Sequence, residues 1–494
     1  MTVVFIVLTV QALMGAFDNF WHHELAARLP QRTSARHELA LHAAREAIYG
    51  FLFLGFAWVQ WQGWWVLLPT VLLAVEIVIT AADFLEEDRS RRLPPVERVL
   101  HTLLAVSYGV LVGVIAPLFA AHAALPSAVV GVEHGMWSWL FTVAGAVVLV
   151  WSLRNVIAVA RLRAAVQSDG PLPAAHGPAV LVTGGTGFIG TALVRRLQAQ
   201  GRRVIVYTRD PLQARATFGP QVWALDRLDD IPSETCIGAV VHLAGTPVLG
   251  MPWANGRRRQ LVMSRVATAR QVLALVQRLH HRPEVLVSAS AVGFYGVPAD
   301  SSPLDERSPP QPGRFQSDLC AQVESEAGYA QALGIRTVCL RFGIVLGQQG
   351  GAYPPLAWAA RMGLGAVLGD GQQSVPWIHR ADAVGMIHHA MTHPGVSGPV
   401  NAVAPDVPCQ RRFTEAISAS FGRRVFLRVP AGPLRSALGE MSELLLCGQH
   451  AVPRRAVSEG YVFLHASLES ALEALAGARP GTYGGLLRPN APRP

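Results

Sequence analysis

An N-terminal all-α bundle of membrane helices, followed by a doubly wound, parallel α/β sheet with a small C-terminal domain, is the fold this 494-residue sequence predicts. Three observations predict it. Apolar residues make up 51% of the chain and charged ones only 15%, and the excess apolarity is concentrated in the first third. A Pro- and Gly-containing stretch without apolar periodicity, residues 166–178, then separates that third from the rest. Directly after it a short apolar strand, a glycine-rich turn and a helical pattern follow one another, which is how a βαβ unit opens.

The first third holds apolar stretches at about residues 2–20, 47–61, 64–82, 99–121 and 136–159, most of them long enough to cross a hydrocarbon core. No basic residue precedes the first, which argues against a cleavable signal peptide. Arg28, Arg32 and Arg36 follow stretch one, Arg89, Arg91, Arg92 and Arg98 follow stretch three, and Arg154, Arg161 and Arg163 end stretch five. The other two connections carry no arginine, so the positive-inside rule puts the N-terminus outside and everything after Arg163 in the cytoplasm. The expected protein is therefore multi-pass in a cell (inner) membrane, with the lipid bilayer as its partner.

Acidic and imidazole side chains recur at one end of these helices: Asp18, His22, Glu38, His42, Glu76, Asp83, Glu97 and His101. Several stand four residues apart and so share a helix face. Carboxylates and imidazoles from four helices at one depth can hold a transition metal such as iron, manganese or zinc. The same pattern also suits charges paired with Arg45, Arg89 and Arg98 at the interface, or a quinone or lipid head-group pocket.

All 42 basic residues are arginine, and the formal charge is +9. A chain without lysine has no Schiff base, no P-loop lysine and no Tyr-Lys dyad. Because the arginines are dispersed along helices rather than clustered with aromatics, nucleic acid is not an expected partner. Cys236, Cys320, Cys339, Cys409 and Cys447 form no C-x-x-C pair and read as reduced thiols.

Residues 183–190 read Thr-Gly-Gly-Thr-Gly-Phe-Ile-Gly between a strand and a helix. Gly184 turns the chain, Gly187 lets the backbone approach a pyrophosphate, and Gly190 lets the helix pack closely, while Phe188 and Ile189 open that helix. This is a Rossmann-type dinucleotide fingerprint in its full context. The next strand, 203–207, ends in Thr208, Arg209 and Asp210. An arginine there suits a 2′-phosphate, whereas NAD calls for an acid at the tip itself, so NADP is the expected cofactor.

From about residue 179 to 475 the chain resembles the extended short-chain dehydrogenase/reductases of the NAD-dependent epimerase/dehydratase kind. The motifs that carry the likeness are TGGTGFIG (183–190), VVHLAG (240–245), SASAVGFYG (288–296), LRFGIVLG (340–347) and PWIHRAD (376–382). GEMSELLLCGQHAVPRR (439–455) is similar to the signature of the subgroup with a C-terminal domain of unknown function. The resemblance implies a fourth strand at 240–244 with Leu243, Ala244 and Gly245 beside the cofactor, and a fifth at 285–288 ending in Ser288, Ser290 and Tyr295. It implies that Ser290 hydrogen-bonds the substrate carbonyl, that Arg341, Gln373, Trp377 and His379 lie on the substrate side, and that the substrate is a small carbonyl or hydroxyl compound, nucleotide sugars included. Tyr295 at the strand end is the candidate catalytic acid beside Ser290. Where the family carries Tyr-x-x-x-Lys, this chain reads Arg314-Phe315-Gln316-Ser317-Asp318-Leu319-Cys320, with neither residue. That departure leaves an oxidoreductase or epimerase working without the dyad, a cofactor-binding sensor without turnover, or a reductase feeding a metal site in the bundle. Asp382 reads as the cap of a helix starting at Ala383. The expected boundaries are a membrane bundle over 1–165, a linker over 166–178, the dinucleotide domain over 179–400, the C-terminal domain over 401–480 and a tail over 481–494.

Overall fold

The computed structural model describes residues 1–21, 29–31, 35–90, 95–167, 177–250, 252–298, 300 and 302–477, the side chains of 87–90, 95–97 and 164–167 excepted. The chain divides into a helical unit and an α/β unit.

The helical unit consists of α1 (Thr2–Phe17), α2 (Arg36–Trp58), α3 (Leu67–Ser90), α4 (Pro95–Ala123) and α5 (Met136–Gln167). All five regions are long and apolar enough to cross a membrane, with mean hydropathy from 1.2 to 2.2, lowest at α2, which includes the polar run before residue 47. The apolar stretch expected to reach Trp61 stops being helical at Trp58. Val59–Gln62 (β1) instead pairs antiparallel with Ala128–Gly131 (β2), so the two arginine-free connections meet at one end of the bundle. Val59 adopts extended backbone, and Gly63, with φ at 56°, turns the chain into the next helix. The helical unit exposes apolar side chains and buries several ionisable ones: Val3, Ile6, Val10, Val143, Val147 and Val150 are exposed, while Asp18, Glu38, His42, Glu76 and Asp83 are buried. An exposed apolar surface of this extent is stable only against another apolar phase or a partner. Inside, Phe5, Phe53, Phe56 and Phe141 form an aromatic core.

The α/β unit opens with β3 (Ala179–Thr183), α6 (Phe188–Ala199), β4 (Val204–Tyr207), α7 (Pro211–Phe218), β5 (Val222–Leu225) and β6 (Ile237–His242). It continues through α8 (Asn255–Val262), α9 (Thr268–Arg278), β7 (Val285–Ala291), α10 (Phe315–Gly328), β8 (Arg336–Phe342), β9 (Ile344–Gly347), β10 (Gly350–Gly351) and α11 (Tyr353–Arg361). After β11 (Ala366–Leu368), β12 (Trp377–His379), α12 (Arg380–Thr392) and β13 (Gly398–Ala402) come α13 (Gln410–Ala419) and β14 (Leu427–Val429). Seven strands form one parallel sheet in the order β13-β8-β7-β6-β3-β4-β5. Every residue of β3 is buried, as a strand covered on both faces requires. The strand order reverses between β3 and β6, and the crevice at the carboxyl ends there is where such sheets bind ligands. A second core gathers Trp377, Phe413, Leu468 and Leu472 around α13 and the small sheet β10-β9-β12.

Candidate cofactor and reaction site

β3 leads directly into the glycine turn. Gly184 has φ at +70°, and a Cβ there would sit 2.8 Å from the carbonyl of Leu243 and 2.9 Å from the amide of Ala244. The turn therefore lies flat against the loop that leaves β6. Gly187 is the N-cap of α6 and brings no side chain to the cap, so the first amides of α6 keep their hydrogens for an incoming anion. At Gly190 a Cβ would press on the carbonyl oxygen of Gly184 and stand 2.7 Å from the Cα of Gly185. The structure thus brings Gly184, Gly187, Gly190, Leu243 and Ala244 to one spot. Ile189 packs into the sheet core, and the Phe188 ring lies under Gly347, Gly350 and Gly351 with the Arg380 guanidinium 5.2 Å from its centre. Thr208 faces Thr186, hydroxyl to hydroxyl at 3.4 Å, and Arg209 is exposed just after β4.

Across the sheet, Thr183, His242 and Ser288 stand side by side in register on β3, β6 and β7. Thr183 Oγ1 lies 2.7 Å from His242 Nδ1 and accepts the amide of Ala244 at 3.2 Å. Burial pushes the His242 pKa down to about 4. Among the described residues the buried Ser288 hydroxyl has no hydrogen-bond partner.

Ser290, Tyr295 and Arg341 come together through Glu324, which the sequence reading missed. Ser290 donates to Glu324 Oε1 at 2.7 Å, and Arg341 binds both oxygens of that carboxylate, at 2.9 and 2.8 Å. Arg341 also donates to the Tyr295 hydroxyl at 3.0 Å, and that hydroxyl donates to Asn401 Oδ1 at 2.7 Å. Tyr295 is buried, and burial raises its pKa although the Arg341 cation opposes the rise. Cys320, one turn before Glu324 on the same face of α10, has its thiol pushed up to about 11 by burial and then by the Glu324 charge. That i,i+4 spacing was a signal available in the sequence.

The residues expected on the substrate side all make contacts within the protein. Trp377 is fully buried and donates its indole N–H to the carbonyl of Asp406 at 2.7 Å. Gln373 donates to the carbonyls of Leu368 and Leu445 at 3.1 and 2.9 Å, tying the end of β11 to the C-terminal segment. Arg341 is 3% exposed. His379, not Asp382, is the N-cap: α12 starts at Arg380, and His379 Nδ1 accepts the amide of Ala381 at 3.2 Å. Asp382 lies one turn inside and accepts the amides of Leu464 and His465 at 2.7 and 3.0 Å. The 439–455 signature is a clasp: Glu440 pairs with Arg258 and Glu443 with Arg314, and Gln449 donates to the carbonyl of Gly296.

Burial, then the nearby His465, brings the His379 pKa down to about 3. With His242 at about 4, the folded protein binds fewer protons than the unfolded chain below pH 6.5, the ordinary histidine value. Their contribution to stability is full above pH 6.5 and is lost as pH falls toward 4. Melting temperature should drop over that window. His379→Asn keeps a capping acceptor but removes the titration, so its melting curve should depend less on pH; an unchanged slope refutes the assignment.

In the helical unit the buried polar groups contact one another across helices. His101 Nε2 stands 3.1 Å from Asp18, and Asp83 takes His42 at 3.3 Å and Arg45 at 3.1 Å. Glu46 accepts from Asn155 at 2.9 Å and from Asn19 at 3.1 Å, and Glu76 from Thr80 at 2.9 Å and Tyr49 at 3.3 Å. Glu38 is buried on α2. Among the described residues no three His, Cys, Asp or Glu side chains form a metal-ligand set, and amides, hydroxyls, imidazoles and Arg45 are among the partners of these carboxylates. His22 lies outside the described residues, as does the side chain of Glu97.

A parallel sheet reversing at a glycine turn with an open helix N-terminus defines a dinucleotide-binding protein of the short-chain dehydrogenase type. The NAD dependent epimerase/dehydratase family matches residues 180–403, and the domain of unknown function DUF1731 matches 429–475. Epimerase family protein YfhF of Bacillus subtilis is 34% identical over 304 residues, covering 61% of this chain and 98% of that protein. Human epimerase family protein SDR39U1 is 32% identical over 299 residues, 60% of this chain and 99% of its own length. The crystal structure of human SDR39U1 (isoform 2) with NADPH superimposes with a TM-score of 0.54, covering 60% of this chain and 99% of that one. The chain belongs to the NAD-dependent epimerase/dehydratase family, carries its DUF1731 domain and has that family's NAD(P)-binding oxidoreductase fold.

Proposed function

We propose that this protein is an NADP-dependent oxidoreductase or epimerase anchored in a cell membrane by its five N-terminal helices, with the α/β unit in the cytoplasm and a small carbonyl or hydroxyl compound, nucleotide sugars included, as substrate. The observation that carries the reading is the cradle at Gly184–Gly190: three glycines whose missing Cβ atoms leave room only for backbone, facing an uncapped helix N-terminus. NADPH in the human relative supports the cofactor. When bound, the nicotinamide supplies or accepts hydride. Leu243 and Ala244 form the floor beside the turn, and Ser290, held by Glu324, offers its hydroxyl at the crevice end of β7. Tyr295, locked between Arg341 and Asn401, positions the 292–296 loop.

Arg209 supplies the 2′-phosphate contact. A charged hydrogen bond contributes about 1.5–3 kcal/mol, so Arg209→Ala should weaken NADPH by about ten- to a hundredfold and leave NADH unchanged. Titration of both cofactors into the detergent-solubilised full chain decides the point, and equal affinity of the unmodified protein for both overturns it. A second reading, an NADP-binding sensor without turnover, draws support from the engaged Tyr295 hydroxyl and the absence of lysine. NADPH consumption with a panel of carbonyl compounds, lost in Ser290→Ala at unchanged NADPH affinity, separates the two.

A further inference from the structure

Between α8 and α9 the helix makes one π-turn, Met263–Ala267. An extra residue in a turn re-aims the side chains it carries, and such bulges gather at functional sites. Here it directs Arg265. Its Nη1 donates to the carbonyl of Leu261 at 3.2 Å and to the Ser264 hydroxyl at 3.5 Å, and its Nη2 to the carbonyl of Thr246 at 2.9 Å. All three acceptors are neutral. Arg258, Arg270, Arg314, Arg341 and Arg412 each face a carboxylate, but among the described residues none pairs with Arg265. Burial lowers its pKa, a second cation, Arg257, lowers it too and the Cys320 thiol raises it, while the buried His242, whose own pKa Arg265 lowers, is a further ionisable neighbour. A half-buried guanidinium without a counter-charge is costly to the empty protein unless a ligand brings that charge.

The direction of the side chain says where the ligand sits. A Cβ on Gly245 would lie 2.9 Å from Arg265 Cζ, 3.0 Å from Nε and 3.1 Å from Nη2. With Cζ the nearest atom, the face of the guanidinium lies on a residue that has no side chain, which leaves the Nε hydrogen without an acceptor among the described residues. Gly245 directly follows Leu243 and Ala244, the pair that floors the glycine turn. Toward the strand ends lies Cys320, and with it Gln316. Gln316 is 4% exposed, and among the described residues neither its amide nitrogen nor its amide oxygen has a partner. Its Oε1 would be 3.4 Å, and the Cys320 thiol 3.9 Å, from a Cβ on Gly293, so both side chains flank the turn that follows β7. A buried amide unsatisfied at both ends is the second mark of a missing ligand, one carrying a carbonyl or hydroxyl.

We propose that Arg265 is an oxyanion receptor at the reaction end of the crevice, holding a carboxylate or phosphate group of the substrate while the dinucleotide is bound. The proposal rests on the NADP reading and narrows its substrate class to small anionic carbonyl or hydroxyl compounds. In a chain without lysine, the cation comes from the 263–267 turn, whereas α10 presents Cys320 at the place that the resemblance gives to lysine.

The test uses the full-length protein in detergent, saturated with NADP⁺ and titrated calorimetrically with oxalate and, separately, with inorganic phosphate. The unmodified protein should bind at least one probe, and the tighter one tells carboxylate from phosphate. Arg265→Gln should weaken that probe by about tenfold or more, the loss of a charged hydrogen bond, and Arg265→Lys should restore part of it. NADP⁺ affinity should stay within about twofold in both variants. No binding of either probe by the unmodified protein, or equal binding by Arg265→Gln, overturns the proposal while the cofactor reading stands. A parallel fall in NADP⁺ affinity also overturns it, since the cation then serves the cofactor. Failure of the unmodified protein to bind NADP⁺ removes the underlying reading as well.

Discussion

Gly190→Ala is expected to eliminate NADPH binding, with affinity falling by at least about a hundredfold, because it removes two or more charged backbone hydrogen bonds to the diphosphate. The added methyl would collide with the Gly184 carbonyl oxygen and approach the Cα and carbonyl carbon of Gly185 to 2.7 and 2.9 Å. All three atoms are backbone, so no side chain can rotate aside. The first turn of α6 must retreat from the glycine turn, and the amides that face the crevice retreat with it. Overpacking of this kind also costs about 1–3 kcal/mol of stability. Two controls separate the close approach from a general intolerance of alanine. At Gly187 the backbone is extended, and the nearest atom to an added Cβ is the Gly184 oxygen at 3.1 Å, so Gly187→Ala should weaken NADPH only modestly. At Gly201, where φ is +68° and nothing lies within 4 Å, alanine should cost stability by strain alone and leave affinity unchanged. Affinities for the three variants in any other order remove the cradle from the argument.

The cradle was legible in the sequence because its constraints are nearly local: Gly184, Gly185 and Gly190 touch one another within seven residues, and the β6 loop that completes the site carries its own motif. The motifs further along say less about role. LRFGIVLG and PWIHRAD mark Arg341, Trp377 and His379 as constrained, yet a motif does not say whether a ligand or the interior imposes the constraint. Trp377 meets the Asp406 carbonyl and Arg341 meets Glu324 and Tyr295, partners brought up by the fold rather than by spacing. In the helical unit, spacing in fours correctly shows which groups share a face, but not what each faces. His42 and Glu46 share a face of α2, and one meets Asp83 on α3, the other Asn155 on α5. Among the described residues no three of these groups form a ligand set, and which helix each one meets is set by the packed bundle rather than by spacing. Arg265 was out of reach for a different reason: its direction depends on one π-turn, which no apolar periodicity announces.

Glu324→Ala should destabilise the α/β unit by about 3–5 kcal/mol, the cost of leaving a buried charge without its partner. Arg341 is 3% exposed, gives both its Nε and Nη2 hydrogens to the Glu324 carboxylate, and has its Cζ 3.5 Å from the centre of the Phe294 ring. Without the carboxylate, that guanidinium keeps, among the described residues, the Tyr295 hydroxyl and the Glu306 carbonyl as acceptors, and Ser290 loses the Glu324 oxygen too. Glu324→Gln retains one acceptor oxygen but not the charge, so it should fall between alanine and the unmodified protein. The decisive variant is the pair Arg341→Met with Glu324→Leu. Replacing both members of a buried ion pair by apolar side chains is often neutral or stabilising, so the double variant should recover much of what Glu324→Ala loses. Thermal unfolding of the full chain, followed through the near-ultraviolet signal of its buried aromatics, measures all of them under one condition. A double variant less stable than Glu324→Ala would mean that the network is held by its links to Ser290 and Tyr295 rather than by the charge pair. Recovery of stability with turnover still absent would instead assign Glu324 the work of positioning the Ser290 hydroxyl.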